Sequence, residues 1–312
     1  MIYTELLDSF HNLCSYHLFY LFVWKKINSA LEHIFYLALV YIFVCLGVYK
    51  LMSIRHIPLN RRFGIFYFLK AIRLEYFKWP SKESMDRVLF ITSHPDDECM
   101  FFGPVIHSIA QNLGSQIYLL CLSHGNYEKH GCKRRSELWE ACKVLGIPEE
   151  NITLFNCSQL PDDPNIEWKV QTIANIISNT VDSLDIQAVI TFDREGVSQH
   201  PNHTAVYYAT ASLCLNSLLP KDCKLFTLDS VNTFRKYISL LDLLLTYLLS
   251  TYWCVLSFEE ASNIRNAMRK HHSQMKWFRW LYIFCSRYMF INSLRKMTIS
   301  DIELEFQIED SH

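Results

Sequence analysis

Two short clusters of histidine and carboxylate residues, His94-Pro-Asp-Asp-Glu98 and His200-Pro-Asn-His203, lie about a hundred residues apart. Each cluster follows an apolar run of the kind that forms a buried strand. Two histidines and one carboxylate are the ligand set of a hydrolytic zinc site, in which one coordination position stays open for water. The two clusters therefore predict a metal-dependent hydrolase.

Residue chemistry suggests a role for each member of the clusters. We predict His94, Asp97 and His203 as metal ligands and Asp96 as the general base that takes a proton from water. His200 is expected to stabilise a developing oxyanion in its charged form, or to protonate the leaving group. The spacing alone leaves open which aspartate binds the metal, because either carboxylate could turn toward it.

Secondary structure must position these clusters. Between residue 87 and about residue 229, short β-rich runs alternate with longer amphipathic segments. This alternation predicts an α/β fold with a Rossmann-like, mostly parallel sheet and helices on both faces. Both clusters then lie at carboxyl ends of strands, where open α/β sheets bind ligands. The predicted strands are Val88–Thr92, Gln116–Leu122, Ile152–Phe155, Ala188–Phe192 and an edge strand at Lys224–Leu228, and the predicted helices are Glu98–Leu113, Lys133–Leu145, Trp168–Ser183 and His203–Leu218.

Composition narrows the class of protein. With 312 residues, of which 50% are hydrophobic and 20% charged, the chain can bury one catalytic domain and has further segments besides. A net charge of −1 gives no indication of a nucleic-acid partner. The 11 cysteines are odd in number and form no CxxC pair, which favours reduced thiols facing the cytosol over a disulfide framework.

A run of sixteen uncharged residues, Ile34–Tyr49, predicts an N-terminal transmembrane helix at about residues 34–52. We accordingly divide the chain into an anchor segment (1–52), a linker (53–85), an α/β metal-dependent catalytic core (86–236) and a C-terminal apolar and amphipathic region that completes the domain (237–312) and could face the membrane. Four basic residues shortly follow the span and two precede it, so the positive-inside tendency predicts a cytosolic catalytic domain.

A second apolar stretch, Tyr237–Phe258, is interrupted only by Asp242. It could form a second span, an interfacial segment or an element that covers the sheet. A carboxylate at the centre of a span is costly in lipid. We therefore expect a membrane-facing surface element rather than a span.

Three motifs resemble a known family: Ser93-His-Pro-Asp-Asp-Glu98, Arg134-Arg-Ser-Glu-Leu138, and Phe192-Asp193 followed by Gly196-Val-Ser-Gln-His-Pro-Asn-His203. Together they resemble the LmbE-like (PIG-L) metal-dependent de-N-acetylases. The likeness covers roughly residues 86–294. It includes C-terminal segments such as His272-Ser-Gln274 and Ser286-Arg-Tyr-Met289. It is strongest to the branch that acts on N-acetylglucosaminyl-phosphatidylinositol in GPI-anchor biosynthesis.

The resemblance implies a zinc-dependent deacetylase with His94, Asp97 and His203 as ligands, Asp96 as base and His200 assisting the tetrahedral intermediate. It implies that Arg134 contacts the polar head of the substrate at its phosphate. The alternative is that Arg134 is a solvated residue at the start of a helix. It also implies a membrane glycolipid as substrate and residence in the endoplasmic reticulum membrane. Gln199 departs from the family pattern, in which glycine is common at this position.

Two other functions are compatible with parts of this pattern. One is a deacetylase of a soluble N-acetylglucosaminide, against which the anchor and the C-terminal likeness argue. The other is a catalytically inactive, membrane-tethered protein that binds a lipid or acts as a scaffold. The complete set of ligands and base argues against it.

Overall fold

The computed structural model describes residues 2–53, 77–78, 85–128, 130–163 and 165–310. The chain forms two compact units, Met1–Leu51 and Met52–His312. The first consists of helix α1 (Ile2–Ser53), and the second contains the α/β domain.

Helix α1 contains a stretch, Trp24–Lys50, that is long and apolar enough to cross a membrane. Its 27 residues correspond to about 40 Å of helix, more than the hydrocarbon core requires. Large apolar side chains along it are exposed, among them Ile34, Phe35, Leu37 and Phe43. The candidate span therefore agrees with the predicted anchor and begins ten residues earlier. Most of the predicted linker, residues 54–76 and 79–84, lies outside the described residues.

The second unit is built on one sheet of eight strands in the order β1-β7-β8-β6-β5-β2-β3-β4. The five strands β4, β3, β2, β5 and β6 are mutually parallel, whereas β8 runs antiparallel to β6 and β7, and β1 is antiparallel to β7. The mostly parallel α/β fold predicted from the sequence is confirmed. The strands are β1 (Phe77–Lys78), β2 (Arg87–Thr92), β3 (Gln116–Cys121), β4 (Ile152–Leu154), β5 (Ala188–Phe192), β6 (Lys224–Leu228), β7 (Tyr252–Val255) and β8 (Ile291–Met297).

The predicted helix Glu98–Leu113 is two helices in the structure. The first ends at Met100, and the second begins at Gly103 with Pro104 in its first turn, where proline's missing N–H costs no hydrogen bond. The helices are α2 (Asp97–Met100), α3 (Gly103–Leu113), α4 (Gly131–Leu145), α5 (Val170–Ser183), α6 (Gly196–Gln199), α7 (Pro201–Leu215), α8 (Thr233–Tyr237), α9 (Leu243–Leu249), α10 (Phe258–Lys270), α11 (Trp277–Cys285) and α12 (Ile299–Asp310).

Alternate residues of β2 supply the core on the two faces of the sheet, as the two-residue period of a strand requires. Leu89 and Ile91 belong to the cluster formed with α5, α7 and α12. On the other face, the Phe90 ring lies 5.9 Å from that of Phe102, beside α3. Burial on both faces explains why β2 is a continuous apolar run rather than an alternating one.

The apolar stretch Tyr237–Phe258 does not form one continuous helix. It contains a 3-10 turn (Ser239–Asp242), the short helix α9 and strand β7, which lies inside the sheet between β1 and β8. Trp253, Cys254 and Val255 are buried, so the expectation of a membrane-facing surface element is wrong for this strand. Residues 77–78 of the predicted linker pair with it as β1.

Asp242, the single charge in that stretch, is fully buried and paired. Its carboxylate accepts hydrogen bonds from Arg235 Nε at 2.6 Å and Thr246 Oγ1 at 2.8 Å, and it lies 2.5 Å from Arg287 Nη1. Arg287 is itself fully buried. The carboxylate therefore neutralises an arginine inside the domain.

We expect Asp242→Asn to lower the free energy of unfolding by about 3–5 kcal/mol, because it leaves the Arg287 guanidinium buried without a counter-charge. Thermal or denaturant unfolding of the purified chain measures this change. Asp222→Asn, at an exposed position, is the matched control and should change stability by less than about 0.5 kcal/mol. Equal free energies of unfolding for the two variants would show that the Asp242–Arg287 ion pair contributes nothing to stability.

Candidate active site

The two sequence clusters meet where β2 and β5 lie side by side. These strands are parallel neighbours, and the strand order reverses direction between them, which is the point where open α/β sheets bind ligands. A cleft of about 480 Å³ opens there, within the usual size for a small-molecule site. Its lining includes His94, Asp96, Asp97, Arg134, Asp162, His200, His203, Lys236, Arg279 and Tyr282.

Asp97 joins the two clusters. One carboxylate oxygen, Oδ2, accepts backbone hydrogen bonds from Ser93 at 3.0 Å and His94 at 2.9 Å, which fixes the side chain. The other oxygen, Oδ1, lies 3.3 Å from His203 Nε2. Burial raises the pKa of Asp97, but the neighbouring His203 and His94 outweigh burial and hold the pKa well below its usual value. The carboxylate is therefore charged and directed at the second cluster.

Hydrogen bonds to the far ring nitrogens favour ligand roles for His203 and His94. His203 Nδ1 lies 2.9 Å from the carbonyl oxygen of Gly196 and donates to it, which leaves the Nε2 lone pair free. His94 Nε2 lies 3.1 Å from Asp162 Oδ1, so His94 keeps its Nδ1 lone pair, 4.0 Å from Asp97 Oδ2. A ligand histidine whose other nitrogen donates to a carbonyl or carboxylate is the usual arrangement at metal sites.

Asn202 lies beside the same His94 nitrogen. Asn202 Nδ2 is 3.0 Å from His94 Nε2, while Asn202 Oδ1 is buried without a hydrogen-bond partner. Exchanging the two amide atoms places Oδ1 against Nε2, where it accepts from the same N–H as Asp162 does. Asn202 therefore supports the tautomer that leaves His94 Nδ1 free.

His200 uses its Nδ1 lone pair within the chain, whereas the Nδ1 lone pair of His94 is free. Its Nδ1 accepts a hydrogen bond from the Asn202 backbone at 3.2 Å, at the start of α7, so a neutral ring carries its proton on Nε2. Burial, together with the charges of His94 and His203, lowers the pKa of His200 to about 4. A neutral His200 can therefore donate a hydrogen bond through Nε2.

The donor set fits a divalent metal. Nitrogen atoms of His94, His200 and His203 lie within 4.8 Å of one another, and Asp97 contacts two of these residues. The hydrogen-bond pattern gives lone pairs on His94 Nδ1, His203 Nε2 and Asp97 Oδ1 and a proton on His200 Nε2. This pattern supports His94, Asp97 and His203 as the ligand set.

Asp96 lies beside this set in a strained conformation, with φ of 111°. Its carboxylate accepts a hydrogen bond from Arg279 Nη2 at 3.0 Å and lies 3.8 Å from Arg134 Nη2. Its backbone N–H donates to Glu98 Oε2 at 3.0 Å. The backbone turn and the two arginines hold the Asp96 carboxylate apart from the Asp97 position, which fits a base rather than a ligand.

A buried pair lies beneath this turn. Glu98 and His271 are both fully buried, with Oε1 and Nε2 2.6 Å apart. Burial lowers the pKa of His271, but the Glu98 carboxylate outweighs burial and raises it. Through its other oxygen Glu98 holds the backbone of Asp96, so the pair positions the base without entering the cleft.

The loop after β5 holds His203 in position through Gly196. Gly196 has φ of 59°, and a Cβ there would lie 2.9 Å from that of His203, so both the backbone angle and the space require glycine. Asp193 fixes the loop by accepting hydrogen bonds from the Gly196 and Ser230 backbones. Gln199 also has a positive φ, 58°, which accounts for glycine being common there in the family pattern.

Arg134 is buried, so the alternative of a solvated helix start is wrong. Its guanidinium donates to the carbonyls of Pro95 at 2.6 Å and Gly125 at 3.2 Å, and to Asp162 Oδ2 at 3.2 Å. A side chain at residue 125 would collide with it, since a Cβ there would lie 2.4 Å from Arg134 Cζ. Arg134 thus ties together three loops of the cleft.

Sequence reasoning missed Asp162, which contacts both His94 and Arg134. Burial raises its pKa, but the hydrogen bond and charge of His94, with Arg134, hold the pKa below its usual value. The residue lies in the loop after β4. The rule used for the other two clusters, that functional groups follow strand ends, would have pointed to Pro161-Asp-Asp163.

We expect Asp162→Asn to weaken metal binding about 10–100-fold, the usual cost of losing the carboxylate behind a ligand histidine. Titration of the metal-free chain with Zn²⁺ measures this change. Asp163→Asn, in the same loop but directed at Asn165, is the control and should bind as the wild type does. Unchanged affinity in Asp162→Asn would show that His94 is not oriented in this way.

Comparison with known proteins supplies independent information. A family model described as PIG-L, GlcNAc-PI de-N-acetylase, matches residues 89–214. The bovine (Bos taurus) N-acetylglucosaminyl-phosphatidylinositol de-N-acetylase is 46% identical over 209 residues, which cover 67% of this chain and 82% of that protein. A probable enzyme of the same name from Schizosaccharomyces pombe is 37% identical over 224 residues, 70% of this chain and 89% of that protein.

A solved structure has the same fold. N,N'-diacetylchitobiose deacetylase from Pyrococcus horikoshii, complexed with an inhibitor, superposes with a TM-score of 0.52. The match covers 78% of this chain and 95% of that chain at 15% identity. At this identity the likeness concerns the fold alone.

Proposed function

The chain belongs to the PIG-L family of GlcNAc-PI de-N-acetylases, and we propose that it hydrolyses the acetamide of N-acetylglucosaminyl-phosphatidylinositol (GlcNAc-PI) in GPI-anchor biosynthesis. The products are acetate and glucosaminyl-phosphatidylinositol. The observation that carries this proposal is the junction of Asp97 with His203, 3.3 Å apart, in a cleft that Asp96 and His200 also line. Relatives of high identity bear the same activity in their names.

Asp96 and His200 act directly in the reaction. Asp96 accepts a proton from the attacking water while the water oxygen forms a bond to the acetamide carbon. His200 Nε2–H donates to the carbonyl oxygen as negative charge develops there. Asp96 then passes its proton to the sugar nitrogen while the carbon–nitrogen bond breaks. The departing acetic acid gives its proton to the amine, so the products are acetate and the protonated amine, and Asp96 is again a carboxylate.

The metal belongs to the proposal as a divalent ion, for which we expect Zn²⁺ because two imidazoles and one carboxylate suit it. Held by His94, Asp97 and His203, it would acidify water and polarise the acetamide carbonyl. The chain's own contribution is to fix the three ligands from behind, through Asp162, the Gly196 carbonyl and the Ser93 and His94 amides.

The sugar enters a cleft whose other walls suit its polar head. Arg134 and Asp162 present N–H and carboxylate groups at its edge, and Lys236 and Arg279 add positive charge. These groups support recognition of the hydroxyls and phosphate of the headgroup. We keep Arg134 as a substrate-binding residue on this basis, secondary to its role in holding the loops.

We place the chain in the endoplasmic reticulum membrane, as its family suggests, with α1 as a single span and the catalytic unit in the cytosol. The basic residues that follow the span support this orientation. The described cysteines are free thiols, which a reducing compartment maintains. Asn202, in an Asn-His-Thr sequon, is fully buried beside His94, so a glycan there would be incompatible with the site.

The test is a comparison of substrates. Detergent-solubilised chain, metal-loaded or treated with chelator, is incubated with GlcNAc-PI and with free N-acetylglucosamine, and the released acetate is measured. We expect metal-dependent release from the lipid alone. Release from both would favour the soluble-substrate alternative, and no release from folded, metal-bound protein would contradict an enzymatic function.

A further inference from the structure

Helix α11 forms one wall of the active-site cleft with one of its faces. Arg279 donates to the Asp96 carboxylate, and Tyr282 donates to the Met100 carbonyl at 2.8 Å. Phe278 lines the cleft beside them. This face is therefore fixed by the catalytic residues themselves.

The face of the same helix that is turned away from Arg279 and Tyr282 is apolar and exposed. It meets the cleft wall at Phe278, whose ring lies 6.0 Å from that of Trp277. Trp277, Trp280, Leu281 and Phe284 follow the i, i+3, i+4, i+7 spacing of one helical stripe, and we call them the α11 stripe. Their side chains are 75%, 41%, 55% and 64% exposed, respectively. A stripe of two tryptophans, a leucine and a phenylalanine normally faces a core, and soluble proteins rarely leave such a patch uncovered.

Charge around the stripe indicates what covers it. Arg269 lies 5.8 Å from the Trp280 ring, and Lys236 Nζ lies 5.9 Å from the Tyr237 and Tyr282 rings at the edge of the cleft. Burial, with help from Arg279, lowers the pKa of Lys236, as expected for an ammonium group on an aromatic surface. Aromatic residues that alternate with cations are typical of surfaces that enter the headgroup layer of a bilayer.

Neighbouring elements continue this surface. Phe234 and Tyr237 of α8 are exposed, and the Tyr237 ring lies 6.5 Å from that of Tyr282. The exposed apolar groups are thus continuous with the mouth of the cleft. A substrate whose sugar enters the cleft would have its acyl chains on this side.

We propose that the α11 stripe inserts into the interfacial layer of a phospholipid bilayer, so that the edge of the cleft at Phe278 lies at the level of the headgroups. This inference rests on the proposed function, because it uses a lipid-linked substrate. A lipid substrate then does not have to leave the membrane, because the stripe and the cations at its edge bring the site to the membrane surface. Anionic phospholipids strengthen the docking through Lys236 and Arg269.

The first test measures insertion without any activity. Full-length chain is reconstituted in nanodiscs that contain brominated phospholipid, and tryptophan emission is compared between wild type and the W277F/W280F variant. The chain has seven tryptophans, and the conservative variant removes only the two on the stripe. We expect a clear loss of bromine-dependent quenching in the variant. Equal quenching in both proteins would overturn the proposal.

The second test separates docking from catalysis. W277S/L281S/F284S changes three exposed residues that do not line the cleft, and L218S/L304S changes exposed leucines on other elements as the control. The substrates are GlcNAc-PI in vesicles and its deacylated, water-soluble headgroup. We expect the triple variant to lose about tenfold or more of kcat/KM on vesicles and to retain it on the headgroup, with the control unchanged on both.

Other outcomes contradict the proposal in distinguishable ways. An equal loss on both substrates would mean damage to the site, and no loss on either would mean that the stripe does not dock. Concentration-dependent crosslinking that disappears in the triple variant would assign the stripe to a second copy of the chain. A wild type that releases acetate from neither substrate would contradict the proposed function, while the quenching experiment would still decide whether the stripe inserts.

Discussion

Asp96→Asn should retain its metal and lose about 10²–10⁴-fold in kcat, the usual contribution of a positioned general base. Asparagine has the same shape and tolerates the positive φ of this position. It cannot accept the proton of water, and it removes the charge that faces Arg279 and Arg134. Acetate release and metal content of the same preparation measure the two effects.

A matched control separates chemistry from backbone strain. Asp185 also has a positive φ, 50°, but it is exposed and does not line the cleft. Asp185→Asn should therefore be as active as the wild type. Metal loss in Asp96→Asn as complete as in a ligand variant would contradict the division of roles between Asp96 and Asp97.

His203→Ala should lose both metal and activity. The substitution removes the Nε2 atom that faces Asp97 Oδ1 and leaves the buried carboxylate with less compensation for its charge. Because a ligand that binds only the folded state stabilises it, chelator should lower the Tm of the wild type. We expect no further decrease when chelator is added to His203→Ala.

His130→Ala is the control for this experiment, since its side chain is half exposed and contacts only Glu128 among the ion pairs described for it. It should bind metal and respond to chelator as the wild type does. If His203→Ala kept a full equivalent of metal, His200 would have to take its place in the ligand set. Asp97 and His94 would then need to be retested with the same readout.

Local pattern was sufficient for the strands that carry the site. The bounds predicted for β5 and β6 agree with the structure. Short apolar runs between turn residues can be recognised from the local sequence alone. The position of both clusters at strand ends followed from the same local signal. The split of the helix after β2 also has a local signal, Pro104 in the first turn of α3, which the prediction overlooked. Phe101 and Phe102, between the two helices, pack against Phe192.

The apolar composition of Tyr237–Phe258 led to a wrong expectation for strand β7, and the reason is physical. A run of apolar residues reports that a segment avoids water, and a central strand of a sheet avoids it as thoroughly as a membrane span does. The partners of Asp242 decide between the two. Arg287, four residues before β8, neutralises it inside the domain.

The sequence by itself determined the chemistry of this protein: which imidazoles and carboxylates are present, and that strand ends bring them to one edge of a sheet. Only the tertiary structure decided how those groups are used. Arg279 reaches Asp96 across 183 residues, and His271 reaches Glu98 across 173. Proton positions on His94, His200 and His203 depend on the partner of each far nitrogen, and such partners are set by packing rather than by spacing along the chain.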